Sequence, residues 1–333
     1  RLHGAIDAGA CAEQFPISDF PSYSLTSASD LADTRTLADW LLGRGMDPAI
    51  LDALEEQLAE PGLGVSLLLQ LAVKLARSKR ALLERDTPLS LSVVFAVYRE
   101  HERILPAAVH PHGEDFLRRK LAQLDWLVDG VPDARYELLV VDDGCPEGSG
   151  HLVAQTADQL GRSGHVRVLF LEDAIRSGHP AAAGLTSTDG SRKGGAIQLG
   201  MWEAAGAAPR PGHVVVYTDA DLSTHLGQCG LLVHALSGET PVAIGSRRHR
   251  RSAVVKGAAR NDRGKLFIYL WKRMLAPLRA VTDTQCGFKA FDARIVRALL
   301  EDVIERRFAF DIELMLRTQL LSGGDHEAIA RVG

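Results

Sequence analysis

The chain has few cysteines, no basic excess and no long apolar run. Of its 333 residues only Cys11, Cys145, Cys229 and Cys286 are cysteines, and they lie too far apart for a metal-ligand or disulfide-framework spacing. They read as reduced thiols, which predicts a cytoplasmic protein. Lys and Arg number 38 against 42 Asp and Glu, a formal net charge of −4. A general nucleic-acid binder is basic overall, so nucleic acid is not an expected partner. The longest near-apolar stretch, residues 63–73, contains Gln70 and is followed by Lys74. It falls short of the roughly 20 residues a bilayer span needs, so no integral membrane segment is expected. The chain starts at Arg1, and its beginning does not read as a signal peptide. There is no internal repeat. No Gly-x-Gly-x-x-Gly follows the first predicted strand and no Gly-Lys-Ser/Thr occurs, which argues against a dinucleotide cofactor and against a P-loop.

What is present divides at Asp86-Thr87-Pro88. Residues 1 to 30 are rich in Gly, Ala, Ser and Pro and read as a loop or arm. Ser29 or Asp30 would cap a helix over 31–43, Asp47-Pro48 would start a second, and a third would run over 63–85. Residues 1–85 are therefore expected to be helical, either packing on a neighbouring domain or dimer partner or acting as an acceptor lid. From 86 to 333 strands alternate with helices. Strands are expected over 89–97, 136–141, 166–171 and 214–217, with helices over 114–128, 150–160 and 196–204. That alternation predicts an α/β fold with a mostly parallel sheet flanked by helices.

In such a sheet ligands gather beyond the carboxyl ends of the strands. Three of those ends are polar or acidic: Tyr98-Arg99-Glu100, Asp142-Asp143-Gly144 and Asp219-Ala220-Asp221, with Lys193-Gly194-Gly195 between the last two. Paired carboxylates at Asp219 and Asp221 are costly unless a cation neutralises them. A hard divalent ion holding a diphosphate suits them, since Mg²⁺ takes one or two carboxylates plus phosphates. The alternative is a solvated Asp-x-Asp capping the next helix. Lys193 would offset phosphate charge, and Gly194 and Gly195 would let backbone N–H groups approach it.

Taken together, residues 89–333 resemble a family 2 glycosyltransferase of the Rossmann-like GT-A fold, with the helical N-terminal region as an addition. Val141-Asp142-Asp143-Gly144-Cys145 is similar to the family's Val-Asp-Asp-Gly-Ser, Arg192-Lys193-Gly194-Gly195-Ala196 to its Asn-Lys-Gly-x-Ala, and Asp219-Ala220-Asp221 to its metal-binding Asp-x-Asp. Gly245-Ser246-Arg247, residues 283–289 and residues 308–314 resemble most the dolichyl-phosphate β-glucosyltransferase branch. The resemblance implies an inverting, metal-dependent hexosyltransferase using Mg²⁺ or Mn²⁺ and a nucleoside-diphosphate sugar, UDP before GDP. It implies Asp221 as direct metal ligand, with Asp219 toward the ribose or the metal's outer shell. Donor contacts would come from Ala96, Tyr98, Glu100, Asp142, Asp143, Lys193, Gly194, Asp219 and Ala220, with Arg247, Arg260 and Arg263 closing over phosphate. The run of residues 247–251, four arginines and His249, also reads as an ordinary solvated loop.

A carboxylate must take the proton of a hydroxyl acceptor. Asp311 and Glu313 are the candidates, and two residues apart on a helix they face different ways. Asp311 is preferred because it shares a face with Leu314 and Met315; the alternative is that it is only the helix N-cap. Cys286 reads as a small buried residue, Gly287 as permitting a tight turn, and His225 as a helix-start residue or a ligand contact. The soluble composition predicts a small-molecule, natural-product-like acceptor for a biosynthetic enzyme, with a homodimer as an option. The rivals are a polyprenyl-phosphate glycosyltransferase at a membrane surface and a sugar-nucleotide-binding module without turnover.

Overall fold

The computed structural model describes residues 23–60, 66–254 and 271–333. The N-terminal helices form where caps and apolar faces coincide. Helix α1 (Ala28–Gly43) starts at Ser27, whose hydroxyl accepts the Asp30 N–H at 3.2 Å, a little before the expected caps Ser29 and Asp30. Helix α2 (Pro48–Leu58) has Asp47 accepting from Ala49 N–H at 2.7 Å and proline in its first turn. Helix α3 (Leu67–Leu83) is capped by Ser66.

The sheet domain follows in the order β1 (Ser90–Val97), α4 (Phe116–Val128), β2 (Arg135–Asp142), α5 (Ser149–Gln159), β3 (Val166–Phe170), α6 (Leu171–Arg176), α7 (Gly194–Ala205) and β4 (His213–Thr218). It continues with α8 (Cys229–Ala235), β5 (Val242–Gly245), β6 (Phe288–Asp292), α9 (Ala293–Leu300), α10 (Phe310–Leu321) and β7 (Ile329–Val332). Strand order is β3-β2-β1-β4-β6-β5-β7. All neighbours are parallel except that β6 runs against both β4 and β5. The sheet thus grows outward from β1 in both directions. The crevice at the carboxyl ends of β1 and β4 is the point where order reverses, and such points host ligands in open α/β sheets.

Both faces of the sheet are covered, which is why its strands read as unbroken apolar runs. Val93, Phe95, Leu138, Val140, Val214 and Val216 pack toward α3, α4 and α8. Val94, Leu139, Val215, Tyr217, Ile244 and Phe291 pack toward α7, α9 and α10. The N-terminal helices belong to the first of these cores: Leu37, Leu41, Leu71, Leu75 and Leu82 are buried in it together with strand residues. Residue 86 therefore marks a change of element type and no gap in the packing. Ser78 of α3 lies so close to α8 that a Cβ on Gly230 would stand 2.2 Å from its carbonyl oxygen.

The same helices take up much of the arginine run. Arg251 donates to Asp52 at 2.6 Å and to Glu56 at 2.5 Å, and Arg250 pairs with Glu56. These two side chains are committed to α2 and are not the mobile phosphate clamp that the run suggested. Arg260 and Arg263 lie outside the described residues.

Candidate active site

The three strand ends converge and are tied to one another. β1 carries Ala96, opposite Val141 of β2, and leads into Tyr98, Arg99 and Glu100. Arg99 has a left-handed backbone, φ 58°, which L side chains adopt only under constraint. The constraint comes from the neighbouring tip. Arg99 N–H donates to Cys145 Sγ at 3.1 Å and Glu100 N–H donates to Ser149 Oγ at 2.9 Å. Tyr98 is left half exposed at the mouth of the crevice. Asp142 points inward. It accepts Cys145 N–H and Gly150 N–H, both at 2.7 Å, so its carboxylate holds the turn onto the start of α5.

Lys193 bridges the other gap. Its N–H donates to Asp143 Oδ2 at 2.6 Å and its ammonium pairs with Asp219 Oδ1. Arg192 and Lys193 both adopt positive φ, 45° and 85°. Burial pushes the Asp143 carboxyl up, opposed by Ser191 and by the Lys193 N–H. Asp143 Oδ1 is buried without a hydrogen-bond partner among the described residues. Gly194 and Gly195 serve a different purpose from the one expected of them. A Cβ on Gly194 would stand 2.4 Å from Arg307 O, and Gly195 N–H donates to Arg306 O at 2.8 Å. Gly194 admits the backbone of residues 306–307, and the Gly195 N–H is spent on the Arg306 carbonyl.

Past β4, Asp221 Oδ1 accepts both the N–H (3.1 Å) and the hydroxyl (2.5 Å) of Ser223. Among the described residues no hydrogen bond reaches Oδ2 of Asp219 or of Asp221. Gly287 faces Asp219: a Cβ there would stand 2.4 Å from Asp219 Oδ2. Its backbone is not left-handed, so glycine is needed for close approach and not for a turn. Arg103 joins Glu100 (2.9 Å) to Glu114 (3.0 Å). Burial raises the Glu100 carboxyl, and the nearby Asp221 charge adds to this against Arg103. Arg247 is committed to Asp283 by a two-pronged contact of 2.9 and 2.7 Å. Against the upward push of burial, that contact holds Asp283 below the ordinary carboxylate range.

Two buried lysines complete the floor, and sequence reasoning missed both. Lys120 of α4 is fully buried, and its ammonium donates to the backbone oxygens of Asp219 (3.0 Å) and Asp221 (2.9 Å). Burial lowers it to about 8. The available signal was a lysine on the apolar face of α4, in register with Phe116, Leu117, Leu121 and Leu124. Lys289 of β6 is also fully buried, donating to Tyr217 OH (2.7 Å), Cys286 O (2.5 Å) and Asp311 Oδ1 (2.7 Å). Burial lowers it to about 7 and raises Asp311 well above the carboxylate range. Asp311 is not an N-cap, since Ala309 holds that position. It is buried on the sheet side of α10 with Leu314 and Met315. Glu313 faces elsewhere, accepting Ile304 N–H (2.9 Å), Glu305 N–H (2.6 Å) and Arg317 Nε (2.8 Å). His225 caps a short turn by accepting Gly227 N–H at 3.0 Å and is driven to about 3 by burial, so it is a neutral structural residue.

The donor set at Asp219 and Asp221 is two carboxylates on hard oxygen. Among the described residues no group of three or more His, Cys, Asp or Glu side chains is placed to hold a metal ion by itself. The set therefore fits an ion that phosphate oxygens would complete, as Mg²⁺ and Mn²⁺ allow, and not an all-protein cage.

No family model matches the chain. It is similar to the dolichyl-phosphate beta-glucosyltransferase of Drosophila melanogaster, 30% identical over 244 residues, 70% of this chain and 64% of that one. The human protein of the same name is 27% identical over 243 residues, again 70% and 64% of the two chains. The glycosyltransferase AglD of Haloferax volcanii is 31% identical over 197 residues, 57% of this chain and 26% of its own. The chain thus spans somewhat under two thirds of the animal relatives. Among solved structures, glucosyl-3-phosphoglycerate synthase of Mycobacterium tuberculosis with Mn²⁺, UDP-glucose and phosphoglyceric acid overlays with a TM-score of 0.48 at 19% identity, covering 78% of this chain and 72% of that one. No helix among the described residues is long and apolar enough to cross a membrane. With a mostly parallel sheet, an Asp-x-Asp tip at its crevice and this extent of sequence similarity, the chain is similar to family 2 glycosyltransferases of GT-A fold, in the neighbourhood of the dolichyl-phosphate β-glucosyltransferases.

Proposed function

We propose that the chain is an inverting, metal-dependent glycosyltransferase that moves a sugar from a nucleoside diphosphate, UDP in the first instance, to the phosphate of a polyprenyl phosphate at a membrane surface. The carrying observation is the joining of the three strand tips: Cys145 and Ser149 hold the β1 tip, and Lys193 links Asp143 to Asp219 beside Asp221. Asp143 Oδ1, buried and without a partner among the described residues, and the exposed ring of Tyr98 are the chain's contacts for the nucleoside. Asp221, with Oδ2 open, is the direct ligand for Mg²⁺ or Mn²⁺, and Asp219 stands behind it on Lys193. The ion supplies Lewis-acid stabilisation of the departing diphosphate. When a diphosphate arrives, the Lys193 ammonium exchanges Asp219 for a phosphate oxygen and adds its charge to the leaving group.

Composition alone favoured a small soluble acceptor; the names of the curated relatives favour a lipid phosphate instead. A largely apolar groove of about 550 Å³, lined by Ile304, Ile312, Leu316, Leu320 and Leu321 with Glu305, Glu313 and Arg317 among them, supports that choice. Ile304 is 88% exposed and Phe308 64%, and the backbone between them is the one packed on Gly194 and bonded to the Gly195 N–H. A phosphate oxygen carries no proton near neutral pH, so the attack on the anomeric carbon needs no general base. Asp311 then acts as the charge partner of Lys289.

The test supplies UDP-glucose and other nucleotide sugars, Mn²⁺ or Mg²⁺, and polyprenyl phosphate in detergent, and follows nucleoside-diphosphate release and lipid-linked sugar. Transfer that disappears in Asp221→Ala is expected. Donor binding without release with any acceptor would make the chain a binding module, and transfer only to soluble hydroxyl acceptors would overturn the lipid assignment.

A further inference from the structure

Lys120 has no place in the chemistry just described, yet it is a fully buried cation directly beneath the acidic tip. Its Nζ is buried beneath the Asp-Ala-Asp turn, with the Phe95 ring 5.4 Å away. Its only hydrogen bonds among the described residues go to two backbone carbonyls, those of Asp219 and Asp221. No carboxylate lies within salt-bridge distance of it among those residues, although a charge buried without an ion pair is expensive. A leucine or methionine there would pack with the rest of α4's apolar face at no such cost.

We infer that Lys120 is a positioning residue, whose ammonium clamps the carbonyls of residues 219 and 221 and so aims both carboxylates at one metal ion. The inference rests on the reading of Asp219 and Asp221 as the metal pair. Each carbonyl lies in the peptide plane that follows its own Cα. Holding two planes, two residues apart, on one ammonium fixes the backbone at both residues and so the direction in which each Cα–Cβ bond leaves it. The turn from 219 to 224 has no ladder partner of its own. Without the clamp the spacing of the two carboxylates is left to side-chain contacts alone, Lys193 on Asp219 and Ser223 on Asp221. Lys120 also adds a positive charge on the protein side of the pair, which offsets the two neighbouring carboxylates before an ion arrives.

Lys79 provides the internal control. It too is a buried lysine donating to a backbone carbonyl, Trp126 O at 2.7 Å, with its ammonium 4.9 Å from the Trp126 ring. It touches nothing in the site. The experiment measures Mn²⁺ affinity, alone and with UDP, from loss of the free-ion resonance signal, together with thermal melting. Wild type is compared with Lys120→Met and Lys79→Met. Both variants are expected to melt lower, but only Lys120→Met should bind Mn²⁺ at least tenfold more weakly. A Lys120→Met protein that melts lower and keeps wild-type Mn²⁺ affinity would reduce Lys120 to a packing residue and overturn the inference. If Lys120→Met does not fold, Lys120→Gln decides. Its amide is one bond shorter and does not span both carbonyls, so at least a threefold loss is expected and an unchanged affinity refutes the clamp. Wild-type protein that binds neither Mn²⁺ nor UDP would instead overturn the metal-pair reading itself, and the clamp with it.

Discussion

Replacing Asp311 by asparagine separates the two acceptor chemistries. The side chain is almost fully buried, and its Oδ1 lies 2.7 Å from the ammonium of Lys289, itself inaccessible to solvent. Breaking a buried pair by removing one partner costs about 3–5 kcal/mol. Asparagine keeps a carbonyl that can accept from Lys289, and Lys289 retains Tyr217 OH and Cys286 O, so a loss of about 2 kcal/mol is expected. Against a total stability on the order of 5–15 kcal/mol the variant folds, melting about 4–8 °C lower on the scaling for domains of 150–250 residues. Were Asp311 the base for a hydroxyl acceptor, its loss would lower kcat by about 10²–10⁴. The sign of the pH dependence then follows from its environment. Burial raises the Asp311 carboxyl, so a required base would become active only as pH rises through that raised value. The rising limb would vanish in the variant. With a phosphate acceptor the limb belongs to the second ionisation of the phosphate, near pH 6, and persists. We expect Asp311→Asn to keep kcat within about tenfold and to keep the limb, read in pH–rate profiles with donor affinity checked by calorimetry. A loss of 10² or more with unchanged donor affinity and a flat acid side would refute the phosphate-acceptor argument.

Two further perturbations probe the walls of the site. Gly287→Ala places a Cβ 2.4 Å from Asp219 Oδ2, so Asp219 must swing away. Mn²⁺-dependent UDP affinity should fall about tenfold, or 1.4 kcal/mol, and an unchanged titration would show that Asp219 does not hold this position when the ion is bound. Deleting residues 1–85 strips Leu71, Leu75 and Leu82 from a core shared with β1 and β2. The product is expected to be insoluble or to lack a cooperative melt. A soluble truncation with a sharp thermal transition would show the helical region to be dispensable for folding.

The residues themselves determined the class of fold and the identity of the strand tips. Apolar runs of 5 to 8 residues bounded by Gly, Pro and Asp report burial on both faces, and carboxylates directly after such runs can only lie at a sheet edge. The same reasoning placed Asp311 on the buried side of its helix, because helical spacing ties it to Leu314 and Met315. It did not reach what those faces meet. The short strands β5, β6 and β7 carry four or five residues each, too few for a period to stand out, and the reversal of β6 is written in no local pattern. The roles of Lys120, Lys289 and Gly287 depend on partners distant in the chain. Lys120 reaches carbonyls 99 and 101 residues away and Lys289 a carboxylate 22 residues away. Gly287 is needed because Asp219 fills the space a Cβ would take. The arginine run reads as a phosphate clamp until α2 brings Asp52 and Glu56 against it. Periodicity reports that a side chain is buried; only the packed chain decides which charge or carbonyl it is buried against, because that depends on distances in space and leaves no trace in spacing along the sequence.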